Sequence, residues 1–261
     1  TRLLRLPLDA VQLATGAKSF VDNSLIGSRR LNERGLHRFR CALAARMAEW
    51  RRRRLARLID PGDRRAFDAQ GFVVKSDFLP ASEFAQVRQE VMGGQWEALE
   101  MRQGPTVTRR VPLDAGGLSG RAPVLARLVT DPRLADLIRY AAATGGHPFF
   151  AIQSILSGGV GGGDDPQTAI HADTFHATAK AWFFLNDVGA DDGPFFYVPG
   201  SHRRSDSRLD WEYRQSLDAA SHPIRYHARG SFRLGAPDLA AMGLPEPQPM
   251  CVRANTLVVA A

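Results

Sequence analysis

An α+β fold, a β-sandwich or barrel flanked by helices, is the class this sequence predicts. The first half of the chain carries helical spacings, and the second half carries short β-prone runs cut by turn residues. Composition agrees: 261 residues with 44% hydrophobic and 23% charged side chains make an ordinary globular chain, long enough for one large domain. That balance excludes a disordered chain, and no apolar run is long enough to span a membrane. Residues 1–10 lack the pattern of a signal peptide. Cys41 and Cys251 cannot build a disulfide framework, so a cytoplasmic, reducing location is expected.

Residues 1–28 read as an irregular arm around the core. The basic segment 29–57 follows, and Asp60-Pro61-Gly62 reads as its breaker. Gly71-Phe72-Val73-Val74 predicts a strand, and residues 82–92 predict a helix with Ser82 as N-cap. Two short strands are expected at 96–102 and 106–111, and two helices within 121–143, divided near Asp131-Pro132. Residues 149–156 form an apolar β-prone run. Residues 158–166 are a glycine- and aspartate-rich loop, expected to be a flexible lid. Short strands are predicted at 168–172, 180–187 and 195–198, and a helix at 210–217. Residues 218–248 are turn-rich, with closing strands at 250–253 and 256–260.

Charge is concentrated in one place. Residues 29–57 hold eleven arginines against Glu33 and Glu49, so a chain of net charge +7 is slightly acidic everywhere else. The same segment spaces Leu36, Phe39, Leu43, Met47, Trp50 and Leu58 three or four apart, a helical apolar stripe. A nucleic-acid arm or an anionic-membrane arm is one reading. The favoured expectation is a helix packed on the domain by that stripe, with arginines in water. No fold signature for nucleic acid accompanies the run, so no nucleic-acid partner is expected.

The chemistry-bearing pattern is His171-Ala172-Asp173 at the end of a predicted strand. Side chains two apart share a strand face, so an imidazole and a carboxylate there can hold one cation. That is part of the ligand set of non-heme Fe(II) oxygenases, which leave positions open for other ligands. Alone, H-x-D is a weak signal, and a turn Asp beside a surface His explains it equally well. The glycine-rich loop lacks a phosphate-binding pattern, and no serine sits in a nucleophile motif.

Around H-x-D the order is Q-T-A-I-H-A-D-T-F (167–175), K-A-W-F-F-L-N-D (180–187) and G-P-F-F-Y-V-P-G-S-H (193–202). This order resembles the phytanoyl-CoA dioxygenase family of Fe(II)- and 2-oxoglutarate-dependent oxygenases. Residues 67–80 (FDAQGFVVKSDFLP) and 255–259 (NTLVV) extend the resemblance over about residues 65–261, an oxygenase domain, with 1–64 outside it as an arm and basic helix packed on the core. The resemblance implies a double-stranded β-helix, or jelly-roll, with His171 and Asp173 as metal ligands. It implies Fe(II), 2-oxoglutarate and O₂, and Gln153, Lys180 and Trp182 beside the oxo-acid. The substrate would be a small molecule or acyl thioester. Related halogenases lack the carboxylate, so Asp173 implies hydroxylation or another oxygen-driven oxidation.

The pattern breaks at its end. The family's distal His, and an Arg that grips the oxo-acid carboxylate, would follow the NTLVV strand, beyond Ala261. The expectation is a longer natural chain; the alternative is an inactive jelly-roll scaffold. His202 reads as structural. His176, His222 and His227 read as exposed loop residues, and His37 and His147 carry no signal.

Overall fold

The computed structural model describes residues 6–156 and 168–261. The expected lid at 158–166 lies outside them. Three helices build the N-terminal region: α1 (Leu6–Leu13), α2 (Arg29–Glu33) and α3 (Leu36–Leu55). Then come α4 (Pro61–Gln70), β1 (Phe72–Lys75), α5 (Ala81–Gly93), β2 (Leu99–Gln103) and β3 (Thr106–Leu113). Next are α6 (Ala115–Leu118), α7 (Pro123–Val129), α8 (Pro132–Ala142) and β4 (Phe150–Leu156). The second half holds β5 (Lys180–Phe184), β6 (Phe196–Tyr197), α9 (Asp206–Asp218), α10 (Arg225–Ala228), α11 (Ala236–Met242), β7 (Gln248–Pro249) and β8 (Thr256–Ala260).

The described strands form antiparallel sheets ordered β1-β8-β5, β2-β3-β4 and β6-β7. β8 is the centre of the first, and all five of its residues are buried. Covered on both faces, it reads as a continuous apolar run rather than an alternating one. Leu257 and Val259 face a core with Phe67, Leu134, Leu137 and Tyr140. Ala260 faces the other side, with Phe72, Met250, Trp182 and Phe195. A second core gathers Phe20 and Ile26 from the arm with Trp211, Phe232 and Leu239.

Several local expectations need correction. Asp60-Pro61-Gly62 ends one helix and starts the next. The Asp60 carboxylate accepts from the Gly62 and Asp63 amides, and Pro61 takes the first helical turn, where its missing N–H costs nothing. Ser82 is not a cap; Pro80 occupies that position without a side-chain bond. The basic segment is two helices, parted at Gly35, whose φ of 88° suits glycine. The turn-rich stretch holds α10 and α11, and the strand expected at 168–172 is a single bridge, His171 opposite Arg233.

The largest correction concerns α3, whose apolar stripe does not pack on the domain. Phe39, Leu43, Met47 and Trp50 are exposed, while His37, Arg40, Cys41 and Ala48 are buried. Helix α3 rests on α8 and α9 by this polar and small-residue face. The Arg52 guanidinium donates to the Tyr140 and Ala141 carbonyls at the end of α8 (3.2 and 2.7 Å).

Candidate metal centre

The bridge at His171 continues as two hydrogen bonds, Ala172 N to Phe232 O (2.9 Å) and Leu234 N to Ile170 O (3.0 Å). They fix the extended backbone that turns His171 and Asp173 the same way. The His171 Nδ1–H donates to the Ala169 carbonyl at 2.7 Å, and His171 Nε2 lies 3.3 Å from Asp173 Oδ1. The other carboxylate oxygen, Oδ2, accepts from Lys180 Nζ at 2.6 Å. Hydrogen bonding from His171, and then the Lys180 ammonium, hold the Asp173 carboxyl well below its usual range, although burial opposes them.

This geometry fits a metal. A carbonyl only accepts, so Nδ1 must carry a proton, and Nε2 then faces a carboxylate oxygen across 3.3 Å. Either a second proton or a cation has to lie between two such acceptors. First-row metal–ligand bonds of about 2.0–2.2 Å put neighbouring ligands about 3 Å apart. The backbone carbonyl on Nδ1 is also the usual outer partner of a metal-bound imidazole. Among the described residues, no other His, Cys, Asp or Glu completes a three-ligand group here.

The other expected site residues line the same open trough of about 3080 Å³. Lys180 and Trp182 alternate onto one face of β5, as expected, but the direct partner of Lys180 is Asp173. Trp182 stacks on Phe195, with ring centroids 4.1 Å apart. Gln153 is exposed on β4, where its amide oxygen accepts from Arg110 Nε at 2.9 Å.

The structure adds two cations that the sequence reading missed. Lys18 Nζ, from the arm, donates to the Asp173 backbone carbonyl at 2.5 Å. Burial lowers the Lys18 pKa, with Lys180 and Arg233 adding to the effect and Asp173 opposing it. Arg233 stands opposite His171 in the bridge and feels the Asp173 charge. The arm is held by Arg40 of α3, which donates to the carbonyls of Leu13, Thr15 and Ala17 at 3.1, 3.2 and 2.6 Å. Its guanidinium also covers the Phe175 ring at 4.3 Å. Gly230 makes room for the arm, because a Cβ there would lie 2.2 Å from the Lys18 carbonyl oxygen. One signal was legible: only three lysines stand among 34 basic residues, and two of them, Lys18 and Lys180, meet at Asp173.

The remaining histidines divide differently from expectation. His202 is structural, as expected. It packs on Phe67 and takes the space beside Gly71, where a Cβ would lie 2.4 Å from its Nδ1. Burial, then the Arg52 and Arg203 charges, lower its pKa to about 4. His227 is buried rather than exposed, stacked on His222 at 3.8 Å, with its pKa lowered to about 4 by burial and then by His222. His37 is also buried, 3.0 Å from Glu212 and 3.4 Å from the Cys41 sulfur. The trio His37, Cys41 and Glu212 is close enough to hold a cation, but its chemistry does not suit one. Burial, then the Glu212 charge, push the Cys41 thiol up to about 12, and Glu212 already receives Arg208 at 3.0 Å with Arg204 at 3.7 Å.

Comparison with known proteins adds one strong finding. The family model described as phytanoyl-CoA dioxygenase (PhyH) matches residues 67–233. Among solved structures, HygX from Streptomyces hygroscopicus, with nickel, 2-oxoglutarate and hygromycin B bound, is 19% identical, covers 78% of each chain and gives a TM-score of 0.42. The α-ketoglutarate-dependent epimerase SnoN from nogalamycin biosynthesis is 20% identical over 77% of this chain and 74% of its own, with a TM-score of 0.46. The carbocyclase SnoK from the same biosynthesis is 20% identical over the same shares, with a TM-score of 0.43. No curated protein matches.

Proposed function

Since the chain belongs to the phytanoyl-CoA dioxygenase family, we propose that it is a non-heme Fe(II)- and 2-oxoglutarate-dependent oxygenase on a double-stranded β-helix, hydroxylating a C–H bond of a small-molecule or acyl-type substrate. His171 and Asp173 hold the iron. The observation that carries this reading is the placement of the His171 ring: Nδ1 lies 2.7 Å from the Ala169 carbonyl, and Nε2 faces the Asp173 carboxylate at 3.3 Å. Bound there, Fe(II) would supply open positions at which the oxo-acid and O₂ meet, with O₂ as the oxidant for both the oxo-acid and the C–H bond.

The chain's own groups then have defined tasks. The Ala169 carbonyl fixes the imidazole. Lys180 neutralises and orients Asp173 Oδ2, which leaves Oδ1 toward His171. Lys18 holds the Asp173 backbone from the arm side. The cations Lys18, Lys180 and Arg233 around one carboxylate favour a dianionic oxo-acid in the trough. Trp182, backed by Phe195, offers it an apolar wall, and Gln153 offers a polar contact held by Arg110. β8 ends opposite Lys180, with Ala260 paired to it, so a distal His following that strand would enter beside the site.

Anaerobic titration with Fe(II) and 2-oxoglutarate, then succinate measurement after O₂ is admitted, tests the reading. The protein should bind iron saturably and form succinate. His171→Ala should weaken iron binding by more than the roughly 10–100-fold that loss of an outer partner costs. Unchanged succinate formation in that variant would sink the ligand assignment. The second reading is the inactive scaffold of the same fold. Failure of the unaltered protein to bind iron at all would support that one instead.

A further inference from the structure

Helix α3 presents a face that nothing described in this chain covers. Phe39 is 66% exposed, Leu43 46%, Met47 43% and Trp50 51%. At helical spacing these four make one stripe, on the side opposite the buried His37, Cys41 and Ala48. The usual amphipathic helix puts its large apolar residues inward; here the small and polar residues are inward. Arginines border the stripe. Arg46, Arg51, Arg54 and Arg57 are exposed and have no ion-pair partner among the described residues, and the Arg54 guanidinium lies over the Trp50 ring at 3.7 Å.

We propose that α3 is a membrane-docking helix, which lies flat on an anionic bilayer surface with Phe39, Leu43, Met47 and Trp50 in the headgroup and acyl boundary and the bordering arginines on lipid phosphates. Charge decides among occupants. A second copy would bring the same arginine border against its like, because Glu33 and Glu49 are the only acids among eleven arginines in residues 29–57. A nucleic acid would satisfy the arginines but leave the four apolar side chains in water. An anionic interface satisfies both, with the apolar face buried and the cations among phosphates. Helix α3 is also rigidly set for this, since Arg40 and Arg52 tie its inner face to the arm and to α8. No described helix is long and apolar enough to cross a membrane, so the contact is one of surface docking. This inference does not depend on the oxygenase reading.

The test is co-sedimentation of the whole chain with phosphatidylcholine vesicles and with vesicles rich in phosphatidylglycerol, across a salt series, with light scattering of the protein alone. Binding should require the anionic lipid and weaken as salt rises, and Arg46→Gln or Arg51→Gln should each weaken it roughly fivefold. The paired substitution Leu43→Ser and Trp50→Ser touches only exposed positions, so the circular dichroism should persist while vesicle binding falls at least about tenfold. Three results would overturn the proposal. One is a folded monomer that ignores anionic vesicles. Another is a dimer that the Leu43/Trp50 variant dissolves, which would assign the face to a second copy. The last is vesicle binding that the Leu43/Trp50 variant leaves unchanged, which would reduce the helix to a charge patch.

Discussion

His171–Asp173 and His37–Glu212 are both imidazole–carboxylate pairs within reach of arginine or lysine, at 3.3 and 3.0 Å, but one opens on water and the other is sealed. Asp173 keeps 46% of its side-chain surface exposed, and Glu212 keeps 2%. Both carboxylate oxygens of Glu212 are already engaged: His37 on one, Arg208 on the other, with Arg204 behind. Asp173 has one oxygen taken by Lys180, and the other meets an imidazole that has no spare proton unless it is charged. The same two residue types therefore do different work. A sealed pair ties α3 to α9, and a pair that opens on water can take up something the chain does not contain. Coordination needs unmet electrostatic demand as well as the right ligand atoms.

The contrast can be broken most severely at Glu212. Glu212→Ala leaves Arg208 and His37 buried without their counter-charge, and removing one partner of a buried pair costs about 3–5 kcal/mol. Asp173→Asn, at a half-exposed and screened pair, should cost clearly less by the urea midpoint, on the order of 1 kcal/mol. Equal losses in the two variants would erase the distinction.

A smaller effect should appear on acidification. His202 and His227 have folded pKa values of about 4, below the ordinary 6.5, so the unfolded chain takes up more protons between those values. Stability is full above about pH 6.5 and falls as pH drops toward 4. Glu212 is held down to about 2 by His37, Arg208 and Arg204 against the opposing effect of burial, so its contribution fades later, from its ordinary 4.5 downward. The denaturation midpoint should thus drop between neutral and mildly acid pH, and His202→Gln should flatten that drop. An unchanged slope would mean that His202 is not held neutral in the folded state.

The mildest probe is thiol labelling. Cys41, beside Glu212 with its thiol pushed up to about 12, should resist maleimide in the folded protein, while exposed Cys251 reacts. Two thiols should label after denaturation. Rapid native labelling of Cys41 would show that the pair beside it is not sealed.

Much of this was legible in residue order. H-x-D marked the open pair, the NTLVV run marked the buried central strand, and Pro-Gly-Ser-His marked the turn that carries the structural His202. Each is a local pattern, and strand alternation or turn chemistry acts over a few residues. The sealed pair was not legible, because His37 and Glu212 are 175 positions apart and meet only when α3 packs on α9. Nor was the arm's part in the site, which joins Lys18 to Asp173 across 155 positions. Helix α3 shows the limit most plainly. Its spacing fixed that a helix with one apolar stripe would form, since periodicity is set by the backbone. Which face turns inward depended on neighbours: the carbonyls at the end of α8 and in the arm offered partners to Arg52 and Arg40, and Glu212 offered one to His37. Sequence alone located most of the helices and strands and offered one candidate ligand pair; tertiary packing decided which charged groups are spent and which remain free, because only the assembled fold brings distant donors and acceptors within reach.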